Sequence, residues 1–330
     1  MRFLLLSDTH GELDIINELA SLTRADAVLH AGDFGFYDSS SLDRLSEREI
    51  RLLVKYSSLE ERARILADAP TGLAEAVREH RLLGGFQALL DGEKSLNVPV
   101  YAVWGNHEDT SVVERLFRGD IAVKNLHILH HQKAYCLGPV FLYGLGGNLL
   151  PGSKMLQRPI AGGRGKVWST LSQFADLVTT VERDAGAARH RILVTHVSPG
   201  KEAFVEHIAA RTGATYTVSG HMGAPTCMVW NPFAISSIED ARERLLNGMH
   251  AVEDACLGAG RNSAAVAEML RIVADRPNER TEADEHTREP RWYRSMTHVN
   301  LPDADTGYAV MDVDGDNAHL QCFLTRKPDP

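Results

Sequence analysis

Five stretches of the chain end an apolar run with residues able to bind a cation or move a proton: RFLLLSDTHG from residue 2, AVLHAGDFG from 27, PVYAVWGNHED from 99, RILVTHVSPG from 191 and ATYTVSGHMG from 214. They supply Asp8 and His10, Asp33, Asn106 and His107, His196, and His221. Carboxylate, imidazole and amide oxygen together suit a borderline or hard divalent cation, Mn ahead of Fe or Zn. Cys136, Cys227, Cys256 and Cys322 stand far apart with no CxxC pair, so neither thiolate ligation nor a disulfide framework is expected. So many donors over-supply a single tetrahedral ion. Two ions are therefore expected, with a carboxylate such as Asp33 giving one oxygen to each. Two metals about 3.5–4 Å apart form a clamp for in-line displacement at phosphorus, because they acidify a bridging water and neutralise phosphoryl oxygens. The chemistry expected is hydrolysis of phosphate esters.

The runs ahead of these residues are apolar without alternation, as in strands buried on both faces. Helical patterns lie between several of them, for example over 13–22 and 174–185. Alternation of strand and helix predicts an α/β fold, in which polar groups at the carboxyl ends of strands collect in one crevice. Gly11 provides the tight turn that brings Asp8 and His10 to the same pocket.

Taken in order, SDTHG, AGDFG, GNHED, VTHVSPG and SGHMG resemble the five motifs of the calcineurin-like metallophosphoesterase superfamily, over roughly 1–36, 98–221 and 297–325. The resemblance implies a β-sandwich core flanked by helices, with a dinuclear site at the sheet ends. It places Asp8 and His10 on the first metal, Asp33 between the two, and Asn106, His196 and His221 on the second. His107 matches the histidine that touches the scissile phosphate and protonates or stabilises the leaving oxygen. A metal-activated hydroxide would be the nucleophile, with no covalent enzyme intermediate.

Two departures stand out. Many members carry a second histidine where this chain has Gly223, so the first metal keeps Asp8, His10 and Asp33 unless water or a remote side chain joins them. His298, in THVNLPDADTGY, is the expected remote candidate. The GDxxDRG pattern of the Ser/Thr protein phosphatases is also absent, since Phe34, Gly35 and Phe36 follow Asp33. Its usual orienter of His107 is lost, and Asp38 or Asp109 is expected to substitute. RNA lariat debranching enzymes share an extra segment before GNHE, but commonly carry Cys at the place of His10 and normally keep the second histidine. The subfamily stays open between phosphomonoester and phosphodiester hydrolases, protein phosphatase-like and nuclease or debranching-like enzymes. A protein-interaction scaffold on the same fold is the non-enzymatic reading.

The core is expected to form a single domain over 1–330, interrupted by helical insertions at 38–97 and 224–296. The second reads as helices over 237–257 and 263–275 followed by the charged loop RPNERTEADEHTREP. Each insertion follows site strands and is read as a lid over the crevice or a surface addition. GYAVMDVDGDNAHLQCFL predicts a C-terminal hairpin turning at DGDN rather than a calcium loop. The glycine-rich loop 144–166 carries Lys154, Arg158, Arg164 and Lys166, and Arg158 and Arg164 are expected to grip substrate phosphate. His30 reads as a core residue or one behind the ligands, and His127, His130 and His131 as surface or core.

A net charge of -9 argues against a general nucleic-acid-coating or anionic-membrane role. Basic residues form no run with interleaved aromatics, so a nucleic-acid substrate is left open without support from charge. MRFLLLSD is too short an apolar run for a signal peptide, and no stretch approaches the roughly 18 apolar residues of a membrane span. A cytoplasmic location is expected, and the sequence is silent on oligomeric state.

Overall fold

The computed structural model describes residues 1–55, 73–79, 84–158, 160–186, 188–222, 226–231, 237–260, 263–274 and 296–325. Gly223 and the charged loop RPNERTEADEHTREP lie outside them. The chain runs β1 (Arg2–Leu6), α1 (Asp14–Thr23), β2 (Ala27–His30), α2 (Glu47–Lys55), α3 (Leu73–Glu79), α4 (Phe86–Leu90), β3 (Val100–Ala102), α5 (Thr110–Arg118) and β4 (Leu126–Ile128). It continues through β5 (Tyr135–Leu137), β6 (Val140–Leu145), β7 (Ala161–Gly163), β8 (Lys166–Trp168), α6 (Leu171–Asp184), β9 (His190–Thr195), α7 (Ala203–Arg211) and β10 (Tyr216–Ser219). Last come β11 (Met228–Trp230), α8 (Ile238–Gly258), α9 (Ser263–Ala274), β12 (Thr297–Asn300), β13 (Gly307–Asp314) and β14 (Asn317–Leu324).

Two six-stranded sheets stack face to face, one ordered β14-β13-β1-β2-β3-β4 and the other β11-β12-β10-β9-β6-β5. The first is parallel from β1 to β4, with the expected hairpin β13–β14 added antiparallel beside β1. The second is parallel across β12, β10, β9 and β6, with antiparallel edges β11 and β5.

The unbroken apolar runs follow from this stacking. In β1, Phe3 and Leu5 enter the layer between the sheets with Leu29, Val103, Val194, Val218 and Met311. Leu4 and Leu6 point the other way, into a core shared with Ile16 of α1 and Val112 and Val113 of α5. Strand alternation therefore continues, but both faces meet protein. Each fully buried Leu or Phe contributes about 1.5–3 kcal/mol, which fixes the strands and the loops that leave them. Local signals set helix ends: Asp109 caps α5 by accepting from the Ser111 amide at 3.0 Å, and Gly119 closes that helix in the left-handed region.

The insertions differ from one another. Ile50, Leu53 and Val54 of α2 pack with Ala76 and Val77 of α3, Tyr37 and Leu42 into a small core of their own. By contrast Leu245 and Val252 of α8 and Leu270 and Val273 of α9 join Phe174 of α6 and Phe204 of α7 in the outer core of the second sheet. These two helices match their expected spans and pack in the flanking helical layer. The edge strand β11 was not expected, because three residues give too little pattern to read. Stretch 126–137 forms two short strands, with His131 buried between them. Among the described residues no helix is long and apolar enough to cross a membrane.

The sheet ends approach closely, and glycine makes the approach feasible. A Cβ at Gly105 would collide with the amide nitrogen and carboxylate of Asp33, and one at Gly220 with the side chains of Ser7 and Asp8. Gly105→Ala is expected to cost about 1–3 kcal/mol by overpacking. Gly258→Ala, where an added Cβ meets nothing within 4 Å, should be neutral or slightly stabilising. Urea denaturation of both variants checks this, and equal effects would contradict it.

Candidate metal centre

All of the sequence-predicted ligands leave strands at their carboxyl ends. Asp8 and His10 follow β1, Asp33 follows β2, Asn106 follows β3, His196 follows β9 and His221 follows β10. Backbone bonds continue the pairing past the strands, from Asp8 N to Gly32 O at 2.9 Å, His10 N to Asp33 O at 2.8 Å and Gly220 N to His196 O at 3.2 Å. Asp8, His10, Asp33 and His221 all take left-handed backbone angles, with φ of 54°, 48°, 50° and 57°. Such conformations cost of order 1–3 kcal/mol each for residues other than glycine and persist only where surroundings impose them. The buried layers on either side of the strands are of sufficient size to impose them.

Glu108 holds the second and third motifs together. Its fully buried carboxylate accepts from the amides of Phe34 at 2.8 Å, Phe36 at 2.5 Å and Gly35 at 3.2 Å, and from Gly105 N at 3.4 Å. The loop that presents Asp33 is thereby tied to the loop that presents Asn106 and His107. Asp33 returns the tie, since its Oδ1 accepts from His107 N at 2.8 Å. Behind them lies His30, as expected of it: Gly32 N donates to His30 Nδ1 at 3.3 Å, and His30 Nε2 meets Thr9 Oγ1 at 3.0 Å. Burial pushes the His30 pKa down to about 3, so it stays neutral.

The donors fit a pair of cations. One ligand atom each from Asp33, His196 and His221 lies within 4.8 Å of the others, and so does one each from Asp8, His10 and Asp303. His196 Nδ1 lies 2.9 Å from the Ala31 carbonyl, so the tautomer that donates there turns a bare Nε2 toward Asn106 Oδ1 at 2.8 Å and Asp33 Oδ2 at 3.6 Å. Lone pairs then converge with no proton between them, an arrangement that a cation satisfies. His10 Nε2 stands 3.9 Å from Asp8 Oδ1 and 4.0 Å from Asp33 Oδ2, too far for hydrogen bonds. Two ligands of one ion at about 2.1 Å each sit about 3.0–3.4 Å apart, so a small contraction around an ion would close these gaps.

Electrostatics point the same way. Burial, with the neighbouring charge of Asp33, pushes the Asp8 pKa up, so the two carboxylates oppose each other's ionisation. Burial also opposes charge on Asp33, but His196, His10 and His107 more than offset it and hold its pKa low. Burial lowers His10 and His221 to about 4, leaving both in the neutral form that binds metal. Asp8 and Asp33 thus share a buried site that is short of positive charge.

Over residues 1–225 the sequence matches the model for calcineurin-like phosphoesterases. The chain belongs to the calcineurin-like phosphoesterase family. As a member it is a metal-dependent hydrolase of phosphate esters, and the family implies a dinuclear divalent-metal site for which these donors are the candidates. Among solved structures the phosphoesterase is similar to a dimetal phosphatase from Danio rerio, at 10% identity over 98% of this chain and 95% of that one, with a TM-score of 0.43. It is also similar to the NAD nucleotidase of Haemophilus influenzae, at 10% identity over 99% of this chain and 55% of that one, with a TM-score of 0.38. No match was found among curated proteins.

Sequence reasoning missed the groups around His107. Its Nδ1 lies 2.6 Å from Glu49 Oε2, a buried carboxylate on α2 of the first insertion. Lys166 Nζ, at the start of β8, lies 3.0 Å from Glu49 Oε1 and 3.3 Å from His107 Nε2. Burial opposes charge on Glu49, but His107 and Lys166 hold its pKa below the usual carboxylate value. The expected orienters are engaged elsewhere. Asp109 meets Arg44 Nη2 at 2.5 Å and Ser41 Oγ at 2.6 Å, and Asp38 meets Arg115 Nη1 at 2.5 Å. Of the two expected phosphate grips, Arg158 is exposed 3.7 Å from Glu114, and Arg164 is exposed at the β7–β8 turn, where its carbonyl accepts from Ser46 N. The basic group of that loop that reaches His107 is Lys166.

Glu49→Gln is expected to lower kcat on an aryl phosphate by about 10–100-fold while leaving KM and bound metal unchanged. Asp109→Ala should instead act through stability, by removing the α5 cap at a cost of about 0.5–2 kcal/mol. Steady-state kinetics with metal analysis and thermal melts separate the two, and an unaltered kcat in Glu49→Gln would refute the orienting role.

Proposed function

We propose that this phosphoesterase hydrolyses phosphomonoesters or phosphodiesters with two divalent ions, preferably Mn, held at the sheet ends. Asp8 and His10 would hold the first ion, Asn106, His196 and His221 the second, and Asp33 both. When bound, the pair would neutralise phosphoryl oxygens and acidify a water. The observation that carries this reading is the convergence of buried Asp33 and His196 with half-buried His221 in one cluster beside Asp8 and His10.

The remaining steps belong to the protein's own side chains. Glu49 accepts the Nδ1 hydrogen of His107 and fixes the ring, so that Nε2 is the atom facing substrate. His107 Nε2 then offers a proton to the leaving oxygen. Lys166 Nζ, 3.0 Å from Nδ1 and 3.3 Å from Nε2, sets a positive charge beside the ring, where it favours an approaching phosphoryl group. His196 is held against the Ala31 carbonyl through Nδ1, which leaves its Nε2 beside Asn106 Oδ1, 2.8 Å away, for the second ion.

Hydrolysis of an aryl phosphate or bis-aryl phosphate should appear with added Mn and vanish on chelation. Asp33→Asn and Asn106→Ala should each lower kcat/KM by about 100-fold or more, since a bound ion is worth several kcal/mol of charge stabilisation. A panel of aryl phosphate, bis-aryl phosphate, nucleotides, phosphopeptide and single-stranded nucleic acid would rank the substrate classes. Full activity in metal-free protein would sink the proposal.

A further inference from the structure

We infer that Asp303 completes the first metal position, in the place where position 223 offers only a glycine. This inference rests on the dinuclear reading above.

Topology brings Asp303 there from far along the chain. β12 runs parallel to β10 with Asn300 opposite Ser219, so the chain leaves β12 at the same end from which His221 leaves β10. β13 then runs antiparallel to β1 with Ala309 opposite Leu5, so it enters the first sheet beside the end from which Asp8 departs. Residues 301–306 therefore cross from one sheet to the other directly over the strand ends that carry the site.

The crossing is fixed rather than loosely strung. Leu301 N donates to Ser219 O at 2.8 Å, and Asn300 bonds Ser219 Oγ at 2.7 Å and Ser198 Oγ at 3.1 Å. The Asp303 carbonyl accepts from Thr306 N at 2.8 Å, Thr306 Oγ1 at 2.8 Å and Gly307 N at 3.2 Å. With its backbone so pinned, Asp303 places a carboxylate oxygen within 4.8 Å of ligand atoms on both Asp8 and His10. Two carboxylates facing one imidazole repel each other unless a cation lies between them. The expected candidate, His298, is committed elsewhere. It sits within β12, with Nδ1 2.5 Å from Thr217 Oγ1 and its ring 4.5 Å from that of Trp230.

Replacing an imidazole by Asp303 makes the two positions unlike. The first would draw on the carboxylates of Asp8, Asp33 and Asp303 and one imidazole, while the second draws on two imidazoles, an amide oxygen and Asp33. The oxygen-rich set favours Mn or Mg, and the nitrogen-rich set tolerates Zn.

Metal content and Mn titration, followed by calorimetry and electron paramagnetic resonance, test the assignment on purified full-length protein. Wild type should bind two Mn ions, Asn106→Ala should weaken one, and Asp303→Ala should weaken the other by at least about tenfold. Asp303→Asn, which keeps size and shape, should give a similar loss with an unchanged thermal melt, and Asp303→His should restore binding with a preference moved toward Zn. If wild type binds two ions, Asp8→Asn loses one, and both Asp303→Ala and Asp303→Asn keep both at wild-type affinity, the inference is overturned. If wild type itself fails to bind two ions, the dinuclear reading falls, and this inference with it.

Discussion

The Glu108 carboxylate, buried among the amides of Gly105 and of Phe34 to Phe36, is the constraint on which the rest of the centre depends. An acceptor in that nest satisfies backbone donors that would otherwise be buried unpaired, each at a cost of about 1–3 kcal/mol. It also joins two loops whose strands, β2 and β3, are neighbours in the first sheet. Once they are joined, Asp33 has one place to stand, and His107, Asn106 and His196 take their positions around it. Gly105 has no side chain because Asp33 occupies the space that one would need.

From that junction the structure builds outward in two directions. Toward the second sheet, His196 and His221 pack ring to ring at 4.9 Å and bring imidazole nitrogen to the centre. Toward the first insertion, Glu49 and Lys166 gather around His107. The β7–β8 hairpin and α2 depend on each other, since Ser46 N bonds to the Arg164 carbonyl and Gly165 leaves room for Glu49. Charge on one side of the site is thus held by the sandwich, and charge on the other by an added segment.

The candidate ligands could be located because each is written next to the strand that presents it. Asp8, Asp33, Asn106, His196 and His221 follow apolar runs whose pattern already says where a strand stops. The sandwich, the C-terminal hairpin and the helices at 238–258 and 263–274 were readable for the same local reason. Glu49 was not, because it is one of several acids on a charged amphipathic helix, and only packing of Ile50 and Leu53 decides which face turns inward. Asp109 stands next to the motif of His107 and Asp38 close behind that of Asp33, yet arginines claim both. Asp303 escaped for a topological reason, since its position follows from which sheet each of two late strands joins. Lys166 and Arg164 are two residues apart, and only the hairpin turn distinguishes the one that reaches His107.

The place of β13 in the first sheet also bears on how the molecule is made. β1 is synthesised long before one of its two neighbours, the strand that spans 307–314. The match to the family ends at residue 225, before that neighbour has been synthesised. A nascent chain of that length holds the motifs but leaves Leu4 and Leu5 with an unpaired edge. Vectorial synthesis therefore yields a sheet open beside β1 until β13 is made, a state in which an unpaired edge is available to other chains. Closure of the crevice is timed by translation of residues 301–314 rather than by the appearance of the motifs.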